Sequence, residues 1–204
     1  MRIFFIIGLF LVGCITSYEN GKFEGKLVYQ ISSVTHHTLD SVNFQTIYAK
    51  DSLVRIENYS PIGKQVFIKH IPKNRAYLLI EVQGEKFAIK SIPQSDSSSH
   101  EYQVKQKLGK KNILGLPSKK LEVFYPEIDS SLIVIFTPEI SSTYNEAISY
   151  CPGLPIEYYL VVNQQLLKYQ LIEFSKEEID LDYFGIPSDY QIVTLDEFID
   201  SFQK

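Results

Sequence analysis

Tryptophan is absent from this 204-residue sequence, methionine occurs once, and cysteine occurs only at Cys14 and Cys151. Two cysteines cannot build the disulfide framework of a small secreted scaffold, so a packed core must stabilise the domain. The longest apolar run, residues 3–12 with Gly8 inside it, is shorter than the about 20 residues that a membrane-spanning helix needs. The formal net charge of −4, without a large basic field, disfavours nucleic-acid binding.

The first fourteen residues indicate where the protein is delivered. Arg2 precedes the apolar run, which ends at Leu11-Val12-Gly13-Cys14. A positive start, an apolar centre and a small residue before the cleavage point are typical of a secretory signal peptide. The last four residues resemble the bacterial lipobox, which implies that residues 1–13 are removed, that Cys14 is lipidated, and that residues 14–22 form a tether. An ordinary signal peptide with an incidental cysteine is the alternative.

The residue after the cysteine bears on the destination. In enteric lipoproteins an aspartate at this position retains the protein in the inner membrane, whereas here the residue is Ile15. By that analogy, the expected location is the cell envelope, in the outer membrane and facing the periplasm.

From residue 23 onward, short runs rich in apolar residues are separated by turn residues. Short turns predict antiparallel neighbours, because parallel strands need long crossovers. Residues 23–204 are therefore predicted to form one mainly β domain: a curved antiparallel sheet of about eleven strands, an incomplete barrel, with a short C-terminal helix. The predicted strands are 23–32, 43–50, 53–59, 65–70, 75–82, 86–90, 103–107, 119–125, 132–138, 154–162 and 165–174.

The C-terminal helix is predicted from its cap and its periodicity. Thr194 and Glu197 have the spacing of a capping box, in which each side chain binds a backbone amide of the other residue. The apolar residues that follow share one helical face. They are Leu195, Phe198, Ile199 and Phe202.

Three predicted strands, within 77–80, 132–136 and 158–162, are apolar on both sides. An antiparallel sheet with one wet face should instead alternate apolar and polar residues. Either the sheet curls onto itself or it encloses an apolar cavity, since a helix about 15 Å long cannot cover three strands. A two-sided apolar run does not determine which residues face inward, so the choice of face is provisional. The cavity-lining candidates are Tyr77, Leu79, Val134, Phe136, Tyr158 and Leu160.

A series of short motifs gives a family resemblance. Residues 153–159 read GLPIEYY, follow IVIFTPEI at 133–140 and precede FGIPSDY at 184–190, with NILGL upstream at 112–116. The series resembles uncharacterised Bacteroidetes exported proteins related to the GLPGLI group, over roughly residues 23–192. The resemblance implies a fold similar to the periplasmic lipoprotein carrier and the outer-membrane lipoprotein receptor, in which helices plug an apolar concavity.

The same resemblance transfers no catalytic residues. Many relatives have a cysteine near the position of Ser118, and its absence here leaves Cys151 without that pairing. This sequence also departs from the pattern in having few helical segments between its strands.

The sequence lacks the G-x-S-x-G, H-E-x-x-H and phosphate-loop motifs. His36 and His37 point to opposite faces if their segment is extended, which favours solvated histidines over a metal site. Residues 180–185 begin like a calcium loop but lack its third ligand and closing glutamate. Cys151 has no base beside it in the sequence that would lower the pKa of its thiol. We therefore expect no enzyme activity, no cofactor and no metal.

One basic run has two interpretations. It fits anionic lipid headgroups, or it is a soluble hairpin whose lysines prevent edge pairing. Its lysines are Lys105, Lys107, Lys110, Lys111, Lys119 and Lys120.

Two functions from different classes follow. The leading hypothesis is a membrane-anchored, non-enzymatic binding module for a lipid or another apolar ligand. The alternative is a structural or protein-interaction lipoprotein with a filled core and no small-molecule ligand. A continuous apolar hollow favours the first, and a filled interior with an exposed strand edge favours the second. A histidine within reach of Cys151 would favour a third, a hydrolase.

The Cys14→Ala variant is expected to lose its membrane anchor or to stay an uncut precursor, because acylation and cleavage both require the cysteine. Detergent partitioning and the mass of the mature protein measure this. Partitioning and mass equal to those of the wild type would contradict the assignment.

Overall fold

The computed structural model describes residues 22–34, 43–60, 63–91, 102–145, 147–148 and 150–201. The predicted signal peptide and Cys14 lie outside the described residues. Twelve strands and one α-helix are present in the described segments. They are β1 (Glu24–Ser33), β2 (Asn43–Lys50), β3 (Leu53–Ser60), β4 (Gly63–His70), β5 (Arg75–Val82), β6 (Glu85–Ser91), β7 (Gln103–Ile113), β8 (Leu116–Tyr125), β9 (Ser130–Thr137), β10 (Leu154–Val162), β11 (Gln165–Ser175), β12 (Gln191–Val193) and α1 (Leu195–Ser201).

The twelve strands form one open, curved sheet, which confirms the predicted mainly β fold. Their order is β12-β6-β5-β4-β3-β2-β1-β11-β10-β9-β8-β7. Two antiparallel meanders are thus joined where β1 pairs with β11. Tight turns enforce this arrangement. For example, Asn163 and Gln164 both have positive φ, the backbone of a two-residue hairpin turn that matches strand twist.

Two features of the sheet differ from the prediction. The additional strand, β12, has three residues and pairs in parallel with β6. It was not predicted, because so short a segment has no readable periodicity. The β7–β8 hairpin is longer than predicted, because strand pairing continues to a turn at Leu114 and Gly115. Its register shifts between Lys107 and Lys111, so apolar alternation breaks down in this part of the sequence.

The predicted capping box of α1 is present. The Thr194 amide donates to Glu197 Oε2 at 2.7 Å, and the Glu197 amide donates to Thr194 Oγ1 at 3.2 Å. Phe198 packs edge-on against Phe87 of β6, with ring centroids 5.2 Å apart. Leu195, predicted to share the buried face, is instead largely exposed, and Phe202 lies outside the described residues.

One face of the sheet, here called the inner face, carries Leu27, Val134 and Tyr158. It is covered by residues 138–153, the connection between β9 and β10, which we call the plug. The described residues of the plug, all but 146 and 149, contain one short 3-10 turn, Ser142–Tyr144, and not the helices that the family resemblance implies. Four apolar residues of the plug are buried in the main core: Ile140, Tyr144, Ile148 and Cys151.

Buried hydrogen bonds fix the plug in place. The Tyr144 hydroxyl accepts from the Phe23 amide at 2.9 Å and donates to the Asp51 carbonyl at 2.6 Å. The buried Asn145 side chain donates to the Tyr158 hydroxyl at 3.2 Å. An unpaired buried polar group costs about 1–3 kcal/mol, so these partners make the packed position specific.

The opposite, outer face of β4–β6 is covered by residues 176–190, here called the strap. Ile179 and Phe184 of the strap are buried in a second cluster with Val66, Ile68 and Leu79 of the sheet. The Arg55 guanidinium donates to the Tyr183 carbonyl at 2.8 Å and ties the strap to β3.

Beneath the strap, Glu57 is buried as an ion. Burial opposes its ionisation, but hydrogen bonds from Lys64 and Arg55 outweigh this and lower its pKa. The carboxylate is therefore a satisfied structural group. The plug thus covers the inner side of the apolar strands β9 and β10, and the strap covers the outer side of the apolar strand β5. The sheet itself stays open.

Gly153, at the end of the plug, is expected to be intolerant of a side chain. A Cβ there would overlap with the Thr137 carbonyl oxygen, which is backbone and cannot rotate away. Gly153→Ala should lower the free energy of unfolding by about 3 kcal/mol, measured by urea denaturation. At Gly185 the nearest atom would be 3.4 Å away, so Gly185→Ala is the control, expected within about 0.5 kcal/mol of wild type. Equal losses in both variants would contradict the close approach.

Candidate ligand-binding groove

A groove of about 540 Å³ opens where the two ends of the plug approach β7 and β8. Pro138 and Pro152, near the start and end of the plug, line it together with Leu121 and Phe136 of the sheet. Leu121 and Phe136 are buried and belong to the main core. The apolar part of the groove is therefore continuous with the inner face, at the place where the plug leaves it uncovered.

The remaining lining is polar and basic. Lys110 is exposed and Lys119 is half-buried, and Lys119 pairs across the strands with Phe136. No acidic residue lines this groove in the described part of the chain. The Ser118 hydroxyl donates to the Leu116 carbonyl at 2.9 Å and is already satisfied. An apolar base beside two ammonium groups complements an amphiphile that has an anionic head.

The six cavity-lining candidates do not surround one space. Tyr77 and Leu79 lie on the outer face, against the second cluster beneath the strap. Val134 and Tyr158 are completely buried in the main core, and Leu160 packs at its margin. Phe136 alone of the six lines the groove. The provisional choice of face selected outer-face residues on β5 but inner-face residues on β9 and β10. The six candidates therefore lie on opposite sides of the sheet.

Cys151 is a free, buried cysteine in the structure. Burial raises the pKa of its thiol to about 12, although a hydrogen bond with the Gly153 backbone acts in the opposite direction. A thiol with this pKa is protonated at neutral pH and is a poor nucleophile. No histidine acts on the thiol among the described residues, and His36, His37 and His100 lie outside them.

The buried tyrosines are equally unsuited to proton transfer at neutral pH. Burial raises the pKa of Tyr125 to about 12, and it raises the pKa values of Tyr29 and Tyr158 as well. Their hydroxyl groups stay neutral and serve as hydrogen-bond donors, as Tyr29 does to the Pro155 carbonyl at 2.7 Å.

Within the described residues, no group of three or more histidine, cysteine, aspartate or glutamate side chains is placed to hold a metal ion. The described helix is also too short and too polar to cross a bilayer.

Sequence reasoning identified Phe136 and the lysines but did not combine them into a site. Lys119 and Phe136 are 17 positions apart in the sequence and become neighbours only through the β8–β9 register. The sequence signal that could have indicated the groove is the set of three prolines at 117, 138 and 152. Proline cannot donate a backbone hydrogen bond and therefore tends to lie where a sheet is interrupted.

No protein-family model matches the sequence, and no curated protein is similar to it. Several solved structures share its fold, and two of them are described here. One is PNGF-II, with a TM-score of 0.53 and 13% identity over 88% of this chain and 32% of that chain. The other is an uncharacterized conserved protein from Thermus thermophilus, with a TM-score of 0.50 and 10% identity over 84% of this chain and 91% of that chain. This chain spans about a third of PNGF-II, and at these identities the likeness concerns the fold alone.

The Cys151 thiol is expected to be unreactive in the folded protein at pH 7, because it is buried and its pKa is raised. After denaturation without reductant, the protein in which Cys14 is acylated should take up one equivalent of a thiol reagent. Rapid labelling of the native protein would contradict the buried position, and a dimer that separates on reduction would show an intermolecular disulfide.

Proposed function

We propose that this protein is an acylated lipoprotein of the cell envelope, anchored in the outer membrane and facing the periplasm. Its domain binds an amphiphilic ligand in the groove and catalyses no reaction. The observation that carries the proposal is the pairing of an apolar base, Leu121 and Phe136, with the ammonium groups of Lys110 and Lys119.

The geometry limits what the ligand can be. The plug fills the inner face, so a ligand that needs a deep hollow has no room unless the plug moves. The space that is open, about 540 Å³, is the size of a pocket for a small ligand or for part of a lipid chain. A single acyl chain with a carboxylate or phosphate head matches both the volume and the charge.

Two further parts of the proposal come from the sequence. Cys14 is the acylation site, and one multiply acylated cysteine supplies enough buried methylene groups for stable anchoring. Membership of the group related to GLPGLI proteins is proposed on the motifs given above. The absence of a catalytic role is supported by the protonated Cys151 thiol and by the neutral buried tyrosines.

The second candidate function is a structural lipoprotein without a small-molecule ligand. The filled inner face favours it, because the buried residues of the plug pack into the main core and occupy the space that a deep cavity would need. Binding measurements separate the two candidates.

Lys119→Gln is expected to weaken binding of a fluorescent fatty acid about tenfold, because it removes a half-buried charge facing the carboxylate. Lys120→Gln is the matched control. Lys120 is also half-buried and its replacement makes the same change in net charge, but it points to the opposite side of β8. Equal binding of the fatty acid by both variants would contradict the site. The site would also be contradicted if Lys119→Gln weakened binding of an uncharged long-chain alcohol as much as it weakens binding of the fatty acid.

Phe136→Ala tests the apolar part of the same site. Truncating a fully packed phenylalanine costs about 3–5 kcal/mol, whereas a side chain that already borders open space should cost less. We expect a loss of about 2 kcal/mol in urea unfolding together with weakened fatty-acid binding. A stability loss of about 3–5 kcal/mol, with no fatty-acid binding by the variant or the wild type, would favour the structural lipoprotein.

A further inference from the structure

Among the described strands, β7 is the last of the sheet and has β8 as its one neighbour. Its first ten residues, 103–112, are all exposed, whereas each of the strands β1–β6 and β8–β11 has at least one buried residue. We call this strand the β7 edge. Ile113, at the end of the strand, packs against the main core, but residues 103–112 do not contribute to it, so their composition is free to serve another purpose.

The charge of the chain is unevenly distributed around this edge. Residues 103–121 contain six lysines and no acidic residue. The rest of the chain holds the other 14 of the 20 basic residues against all 24 acidic residues. Within the described residues, Lys107 is the one of these six lysines in an ion pair, 2.9 Å from Glu122. The edge is thus a cationic surface on an otherwise acidic protein.

An apolar side chain projects from the middle of this cationic surface. Leu108 has a relative exposure of 101%, and it lies inside the register shift between Lys107 and Lys111. Leu114, at the hairpin turn, is also exposed. Lysines alone would protect an edge strand from aggregation, but a fully exposed leucine between them works against that protection.

The register shift between Lys107 and Lys111, a β-bulge, also limits the kind of partner that fits this edge. A strand from another protein would need a regular ladder, and the register shift at Gly109, with its positive φ, interrupts that ladder. A bilayer surface requires no register. Its anionic headgroups attract lysines, while the boundary with the acyl chains accepts a leucine side chain.

We propose that the β7 edge docks on an anionic bilayer surface, with the lysines at the lipid phosphates and Leu108 inserted between the headgroups. The β7 edge adjoins the groove, because its residues Gln106 and Lys110 line that space. The lysines used to test the docking, Lys105, Lys107 and Lys111, do not line the groove.

Co-sedimentation of the full chain with vesicles tests this docking. Phosphatidylcholine vesicles are compared with vesicles that also contain phosphatidylglycerol, at low and at high salt. The test variant is K105Q/K107Q/K111Q. The control K73Q/K90Q/K176Q removes the same three charges from exposed positions elsewhere. Both variants keep the same N-terminal segment, so any contribution of the lipid anchor cancels.

The β7 variant is expected to bind anionic vesicles about a hundredfold more weakly than the control at low salt. The difference should shrink at high salt, which screens the charges. Leu108→Gln should weaken binding about tenfold, whereas Leu195→Gln, at another exposed leucine, should not. Urea unfolding should be unchanged in all four variants, because the replaced side chains are exposed.

Three results would overturn the proposal. Equal losses in the two triple variants would show a general charge effect, and binding that ignores phosphatidylglycerol would exclude headgroup recognition. Lysine-dependent binding of polyglutamate in solution, without vesicle binding, would show that the edge serves an acidic protein instead.

Discussion

The hydroxyl group of Tyr144 joins three distant parts of the chain, and the arrangement of the inner face depends on it. It accepts from the Phe23 amide at the start of β1 and donates to the Asp51 carbonyl in the β2–β3 turn. The ring also packs edge-on against Phe23, with centroids 5.7 Å apart. With the plug held in this way, most of the apolar inner face is removed from water, and the groove is what remains beside it.

This constraint changes how the apolar strands are understood. Strands that are apolar on both sides indicate that both faces are covered, but they do not say what covers them. Here the plug covers the inner side of β9 and β10, the strap covers the outer side of β5, and Ile133 and Val162 stay exposed. The ligand that we propose would bind at the margin of the plug, where Phe136 lies beside Lys119, and its binding does not require a central hollow.

Local signals predicted the sheet well because turns and strands are encoded locally. The Asn163-Gln164 turn and the Thr194–Glu197 cap are clear in the sequence, and both form. The plug could not be predicted in this way, because residues 138–153 have neither the period of a strand nor that of a helix. The groove depends on the plug and on the β8–β9 register, and that register is set only when the sheet folds. Leu108 was overlooked for a related reason, since the bulge at Gly109 hides its exposure from any alternation pattern.

Amide hydrogen exchange across residues 138–153 tests the central claim, that the plug is part of the core. The Leu154 amide bonds to the Ile140 carbonyl and the Asn145 amide to the Ser142 carbonyl, both at 2.9 Å, beneath buried side chains. The account predicts that peptides from the plug exchange as slowly as those from β10. Exchange as fast as that of the exposed β7 edge would mean that the inner face is open in solution, and would contradict the account.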